Sequence, residues 1–203
     1  MSILDVKHQG LFSVDFLRFV LDLDHQAIAD YTIEHQKKWN SYTSYHNPKI
    51  NEDWKQGLPG REKFEKVVKE AADEYVERTG RRKFDLKTKG CYLDYWASIY
   101  RKGDHHGSHN HPNTLIAGTY YPQTGSKSNP IVLEAPWRAQ TMHDTMSADK
   151  AVFTYKPNAG DMILWPSWVW HRVNPQKVEM DVDRIAISFN LDYGRYHMGG
   201  IND

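Results

Sequence analysis

Four of the chain's eleven histidines fall within seven residues, at His105, His106, His109 and His111, and an apolar, β-prone run follows them at once. His109-Asn110-His111 is the sharpest part of this cluster. Two histidines at i and i+2 of an extended segment point to the same face, so both imidazoles could reach one metal ion. A third ligand should then come from a distant segment on a neighbouring strand. His171, inside GDMILWPSWVWHRVNP, is the best placed. Two surface histidines would also give an HxH pattern. Against that reading stands the order of features: an HxH opening a strand, His171 ending a later β-prone run, and Arg184 beginning IAISFN.

Arg184 is the second anchor. Along an alternating strand, Arg184, Ala186, Ser188 and Asn190 share one face, and Ile185, Ile187, Phe189 and Leu191 share the other. The apolar set belongs in a core, so Arg184 must face water or a pocket. A guanidinium held on a rigid strand suits a carboxylate gripped through two parallel hydrogen bonds, and Ser188 could add a third. Three neutral imidazoles bind Zn²⁺, Fe²⁺, Ni²⁺ or Cu²⁺, so ligand type alone does not choose the metal.

The elements that must position these groups are legible in outline. A first strand and turn are expected in 1–23. The segment from Asp24 to Asn40 places Ile28, Tyr31, Thr32, His35 and Trp39 on one helical face. Residues 40–60, rich in Asn, Ser, Gly and Pro, read as a loop. In REKFEKVVKEAADEYVERTG the apolar residues Phe64, Val67, Val68, Ala71, Ala72, Tyr75 and Val76 recur at helical spacing, and Gly80 closes the helix. From residue 90 the pattern changes to short β-prone runs at Cys91–Tyr100, Leu115–Tyr121, Ile131–Glu134, Ala151–Tyr155, Met162–Trp165 and Ile185–Asp192. That spacing suggests a sandwich, jelly roll or barrel.

At 203 residues a single domain is expected: 1–89 as N-terminal strand and helical support, 90–193 as β-core, 194–203 as a tail. Lys+Arg and Asp+Glu balance at 26 each, which gives no general attraction to nucleic acid. The single Cys91 excludes an internal disulfide and a cysteine zinc site, in keeping with a cytoplasmic location. The N-terminus lacks a signal-peptide pattern, and no apolar run is long enough to span a membrane.

Together these residues resemble the Fe(II)/2-oxoglutarate-dependent dioxygenases, of prolyl-4-hydroxylase-like type, and in particular the small bacterial and phage 2-oxoglutarate oxygenases. The family's first motif, Tyr-x-x-Gly then His-x-Asp, is matched by Tyr100, Gly103, His109 and His111. Ala117-Gly118-Thr119-Tyr120-Tyr121 matches the following strand. Pro157 to Gly160, Pro166-Ser167 and His171 follow the order of the distal motif, and Arg184 to Ser188 match its closing Arg-x-Ala-Ile-Ser. The resemblance covers about residues 90–193. It implies an α+β, mainly β protein: a double-stranded β-helix (a cupin-like jelly roll) with N-terminal helices packed on one side. It further implies Fe(II) held by His109 and His171, and 2-oxoglutarate bound through Arg184 with Tyr121, Ser188 and Tyr100 assisting. O₂ and an unidentified prime substrate, a peptide or a small metabolite, would be the partners, with succinate and CO₂ released. Position 111 is His where the family commonly has Asp or Glu, so the third ligand is either His111 or a carboxylate such as Asp104.

Two other readings fit parts of the pattern. Gly103 with His109-x-His111, and Gly160 with Pro166 and His171, also resemble the two cupin motifs. However, the Glu expected after the second His is missing, with Leu115 and Ile116 in its place, and a cupin has no particular use for Arg184. A non-catalytic β-sandwich module could use Trp137, Trp165, Trp168 and Trp170 as an aromatic platform. In the oxygenase reading, Trp165 and Trp168–Trp170 instead pack core and pocket wall around His171. His105 and His106 could contact substrate or sit in a solvated loop. His143 could border the mouth of a site.

Overall fold

The computed structural model describes residues 14–79, 91–135 and 152–193. The expectations placed on Leu11 to Ser13, Gly80, Trp137 and His143 lie outside these residues. Three helices come first: α1 (His25–Gln36), α2 (Pro48–Gly57) and α3 (Arg61–Arg78), preceded by a short strand β1 (Leu17–Val20). Eight strands follow: β2 (Cys91–Tyr100), β3 (His106–His109), β4 (Ile116–Gln123), β5 (Ile131–Glu134), β6 (Val152–Tyr155), β7 (Asp161–Pro166), β8 (His171–Val173) and β9 (Arg184–Tyr193). They form two antiparallel sheets, β1-β7-β4-β9-β2 and β3-β8-β5-β6. No helix among the described residues is long and apolar enough to cross a membrane.

The larger sheet carries a core on each face. Its outer face meets the helices: Phe64, Val68 and Tyr75 of α3 and Ile28 of α1 pack with Ile185, Ile187, Phe189 and Leu191 of β9. Each such side chain fully removed from water contributes roughly 1.5–3 kcal/mol, which is what anchors the helical layer. The inner face meets the smaller sheet through Ala117, Tyr121, Ile163, Trp165, Val173 and Ala186. The period-2 alternation of β9 therefore divides as the sequence indicates, with the apolar set toward the helices and the Arg184 set toward the space between the sheets.

Asp161 stitches the layers together. Buried at 1% exposure, it accepts from Arg18 Nη2 of β1 at 2.6 Å, from Tyr155 Oη of β6 at 2.5 Å and from Asn158 N at 2.8 Å. The turn before it needs Gly160, whose φ of 89° disfavours a side chain.

Four expectations need correction. The first helix ends at Gln36, short of Asn40. The expected loop over 40–60 contains a 3-10 turn at Ser44–His46 and the whole of α2. The Asn47 side chain accepts from Ile50 N, Pro48 opens the helix, and Trp54 is fully buried. Asn and Pro were acting as helix-start signals there, not as breakers. The HxH does not open a strand either: His109 closes β3 and His111 lies beyond it, while His171 begins β8. Finally, Trp168 and Trp170 are 46% and 42% exposed and do not pack core, unlike Trp165 at 1%.

Candidate metal centre

β3 and β8 are short, but their register brings the distant halves of the site together. His109 is directly opposite His171 across the ladder, and the backbone N–H of His111 donates to Ser167 O at 2.9 Å. His109, His111 and His171 consequently offer one ligand atom each, all within 4.8 Å of one another. Nε2 of His111 and Nε2 of His171 are 3.2 Å apart.

The far side of each ring fixes which nitrogen is free. His109 Nδ1 is 2.8 Å from Gly107 O, and His171 Nδ1 is 3.0 Å from Val169 O. A carbonyl can only accept, so both Nδ1 atoms carry the proton and both Nε2 atoms keep a lone pair. His111 Nδ1 meets Asn190 Oδ1 in the same way. Outer hydrogen bonds of this kind orient histidines that bind metals. Burial lowers the basicity of all three rings, pushing His111 down to about 4 and His171 further. The rings are therefore neutral at pH 7, the form that a metal requires.

Arg184 lies on the same pocket wall, 2% exposed. Its guanidinium carbon stands 4.7 Å from the Tyr100 ring and 5.1 Å from the Tyr121 ring. Its Nε and Nη1, together with Tyr121 Oη and Trp165 Nε1, are buried without a hydrogen-bond partner among the described residues. Unsatisfied donors on a buried charge are costly. A carboxylate entering the pocket would meet a planar fork and a phenol at once. Ser188 also lines the pocket and is 3.3 Å from Thr119 Oγ1. Asp104 is committed elsewhere: its side chain accepts from Arg101 N at 2.8 Å and caps a turn, apart from the three imidazoles.

Several contributors had no role, or an open one, in the sequence. Trp96 of β2 stacks on His111 at 5.9 Å. Asn190 follows Arg184 on one face of β9 and reaches His111. His106, which could have been loop, is in β3 with its ring 4.2 Å from that of His109. Tyr42 packs on Tyr100 and His106. Its segment is bolted to β2 by Thr43 Oγ1 to Ala97 O, Ala97 N to Ser44 Oγ and Ile99 N to Tyr42 O.

Residues 94–190, just under half of the chain, match the family model described as "Putative 2OG-Fe(II) oxygenase". This segment is similar to the 2OG-Fe(II) oxygenases. Two solved structures with TM-scores above 0.5 share the fold. A Pseudomonas putida prolyl-4-hydroxylase is 11% identical, with 87% of this chain and 91% of that one covered and a TM-score of 0.54. HygX from Streptomyces hygroscopicus, solved with nickel and 2-oxoglutarate bound, is 10% identical over 90% and 83% with a TM-score of 0.51. A Burkholderia pseudomallei oxidoreductase of the 2OG-Fe(II) oxygenase family is 12% identical with a TM-score of 0.48. There 67% of this chain is covered, and the chain spans 59% of that protein's length. No curated protein matches the chain. The double-stranded β-helix is thus the fold, and the 2OG-Fe(II) oxygenase donor set is testable on its own residues. Three Nε2 lone pairs with orienting partners suit a divalent first-row metal, and an unsatisfied buried guanidinium suits a dicarboxylate.

Proposed function

We propose that the chain is an Fe(II)- and 2-oxoglutarate-dependent hydroxylase, with His109, His111 and His171 as its iron ligands. Arg184 clamps the distal carboxylate of 2-oxoglutarate, with Tyr121, Ser188 and Tyr100 lining that end of the pocket. When bound, the metal and cosubstrate supply the oxidation: O₂ is consumed, 2-oxoglutarate leaves as succinate and CO₂, and a substrate C–H becomes C–OH. The protein's own part is positional. Arg184 fixes the cosubstrate's far end, and the pairing of β3 with β8 sets the ligand spacing. Trp96, Trp165 and Tyr100 keep the pocket apolar and exclude water. A third imidazole in place of a carboxylate leaves the centre one charge more positive than in the common His₂-carboxylate arrangement.

The observation that carries this reading is the co-location of three Nε2 lone pairs with a buried Arg184 whose Nε and Nη1 lack a partner among the described residues, all in one pocket. A cupin-like metal site would share the histidines but has no role for the guanidinium. The prime substrate is a peptide or a small metabolite. The experiment is anaerobic titration of the Fe(II)-loaded protein with 2-oxoglutarate, followed by its visible charge-transfer absorption. We expect a saturable band, lost or strongly weakened in Arg184→Ala. Absence of binding in the unaltered protein would sink the oxygenase reading, and binding indifferent to Arg184 would sink the clamp.

A further inference from the structure

The pocket holds a fourth imidazole whose hydrogen-bonding environment is the reverse of the other three. His106 lines the pocket, and its ring lies nearly parallel to His109 at 4.2 Å and 23°. It is not among the residues whose ligand atoms converge. Its Nδ1 faces no carbonyl. It faces two phenol hydroxyls, Tyr42 Oη at 3.3 Å and Tyr100 Oη at 3.4 Å. Burial pushes the pKa of both phenols up, Tyr42 to about 12, so each keeps its proton. A hydroxyl can donate where a carbonyl cannot. A phenol donating to the Nδ1 lone pair would leave the ring proton on Nε2.

We propose that His106 is a hydrogen-bond donor to the metal-chelating carboxylate of 2-oxoglutarate, acting through Nε2–H. This rests on the oxygenase reading. The placement follows from the chain of contacts on that wall. Arg184 lies over Tyr100, the Tyr100 hydroxyl reaches His106, and His106 stacks on His109. A cosubstrate whose far carboxylate is on Arg184 and whose other end reaches the metal runs along this line. His106 meets it at the metal end, where no other imidazole has an N–H to offer. Three rings thus face the centre with lone pairs and one with a proton, and only the latter can bind an anionic oxygen.

Two measurements test this. Long-range ¹H–¹⁵N correlation spectra of the Zn²⁺-loaded protein read histidine tautomers directly. We expect His106 with its proton on Nε2, and His109, His111 and His171 with theirs on Nδ1. A proton on His106 Nδ1 overturns the proposal. Calorimetry of Ni²⁺-loaded protein with 2-oxoglutarate should show His106→Leu binding about tenfold or more weakly, as loss of a charge-assisted hydrogen bond entails. His106→Gln, which keeps an N–H at similar reach, should recover most of the affinity, and Ni²⁺ affinity should stay unchanged in both. Equal affinity in His106→Leu overturns the proposal while leaving the oxygenase reading intact. If the unaltered protein binds no 2-oxoglutarate, both fall together. If His106→Leu does not fold, the tautomer measurement and His106→Gln still decide.

Discussion

His111 and His171 turn their Nε2 atoms toward one another at 3.2 Å. With both Nδ1 atoms engaged by oxygens, two lone pairs face across that gap. Such an arrangement is unfavourable by itself and is relieved by a shared cation. His111 and His171 would hold a divalent metal through these two nitrogens.

Asn190 is what turns His111 in that direction. Asn190→Leu should leave the His111 ring unoriented and weaken metal affinity roughly 10–100-fold, the usual cost of losing an outer hydrogen bond to a metal-binding histidine. Asn190→Asp, which still accepts from Nδ1–H, should retain or raise it. Competition against a chromophoric chelator measures both. Equal affinity in Asn190→Leu would mean the ring is held by Trp96 alone.

Arg184 should behave oppositely toward stability and toward ligand. Among the described residues it is a buried charge with two unpartnered donors. Replacement of such a group by an apolar side chain of similar volume is often neutral or stabilising. Arg184→Met should therefore melt at or above the temperature of the unaltered protein. It should also lose the rise in melting temperature that saturating 2-oxoglutarate confers, since only a ligand binding the native state stabilises it. Differential scanning calorimetry with and without 2-oxoglutarate separates the two effects. A strongly destabilised Arg184→Met would instead make the residue structural.

Acid should destabilise the protein earlier than carboxylate chemistry alone would. Burial depresses the native pKa of His111 from 6.5 to about 4, and that of His171 further. In the unfolded chain these rings take up protons near 6.5, so between those values the unfolded state binds more protons than the native state. Stability is then lost as pH falls from about 6.5 toward 4, and is fully present above that window. Bound metal should steepen the slope because only neutral imidazole ligates. Urea midpoints of the metal-free protein across this range should fall less in a His111→Gln/His171→Gln double variant. Parallel profiles would show that these rings do not drive the loss.

How much of this was legible in the sequence depended on whether the signal was periodic. The alternation of β9 identified the Arg184 face and its apolar opposite, and the 3.6-residue rhythm of α3 identified its buried side. Cys91–Tyr100 and Ile131–Glu134 are strands at the expected bounds. β3 and β8 are four and three residues long, too short to show a period, and they exist through pairing with each other and, for β8, with β5. The partners that set the tautomers, Gly107 O and Val169 O, are backbone atoms with no sequence signature at all. His106 was visible as a histidine, but its role depends on Tyr42, a residue distant in the chain.

The segment bearing Tyr42 was misread because Asn, Ser, Gly and Pro mark helix starts as well as loops, and its attachment yields the last prediction. Asn51 of α2 is 8% exposed, takes a hydrogen bond from Ser44 Oγ at 2.7 Å and donates to Tyr95 O at 3.1 Å. Ser44 in turn accepts from Ala97 N at 3.0 Å, so one amide couples α2, the 3-10 turn and β2. Asn51→Ala removes the side-chain donor to Tyr95 O and leaves the Ser44 hydroxyl only its longer bond to Ala97 O at 3.4 Å, at a cost of about 1–3 kcal/mol. The loss should appear as a lower urea midpoint at unchanged slope. Because the same network places Tyr42 against His106, the variant should also loosen 2-oxoglutarate while sparing the metal, whose proposed ligands come from β3, the turn after it and β8. A drop in metal affinity equal to the drop in cosubstrate affinity would show that the turn supports the whole site and not one wall of it.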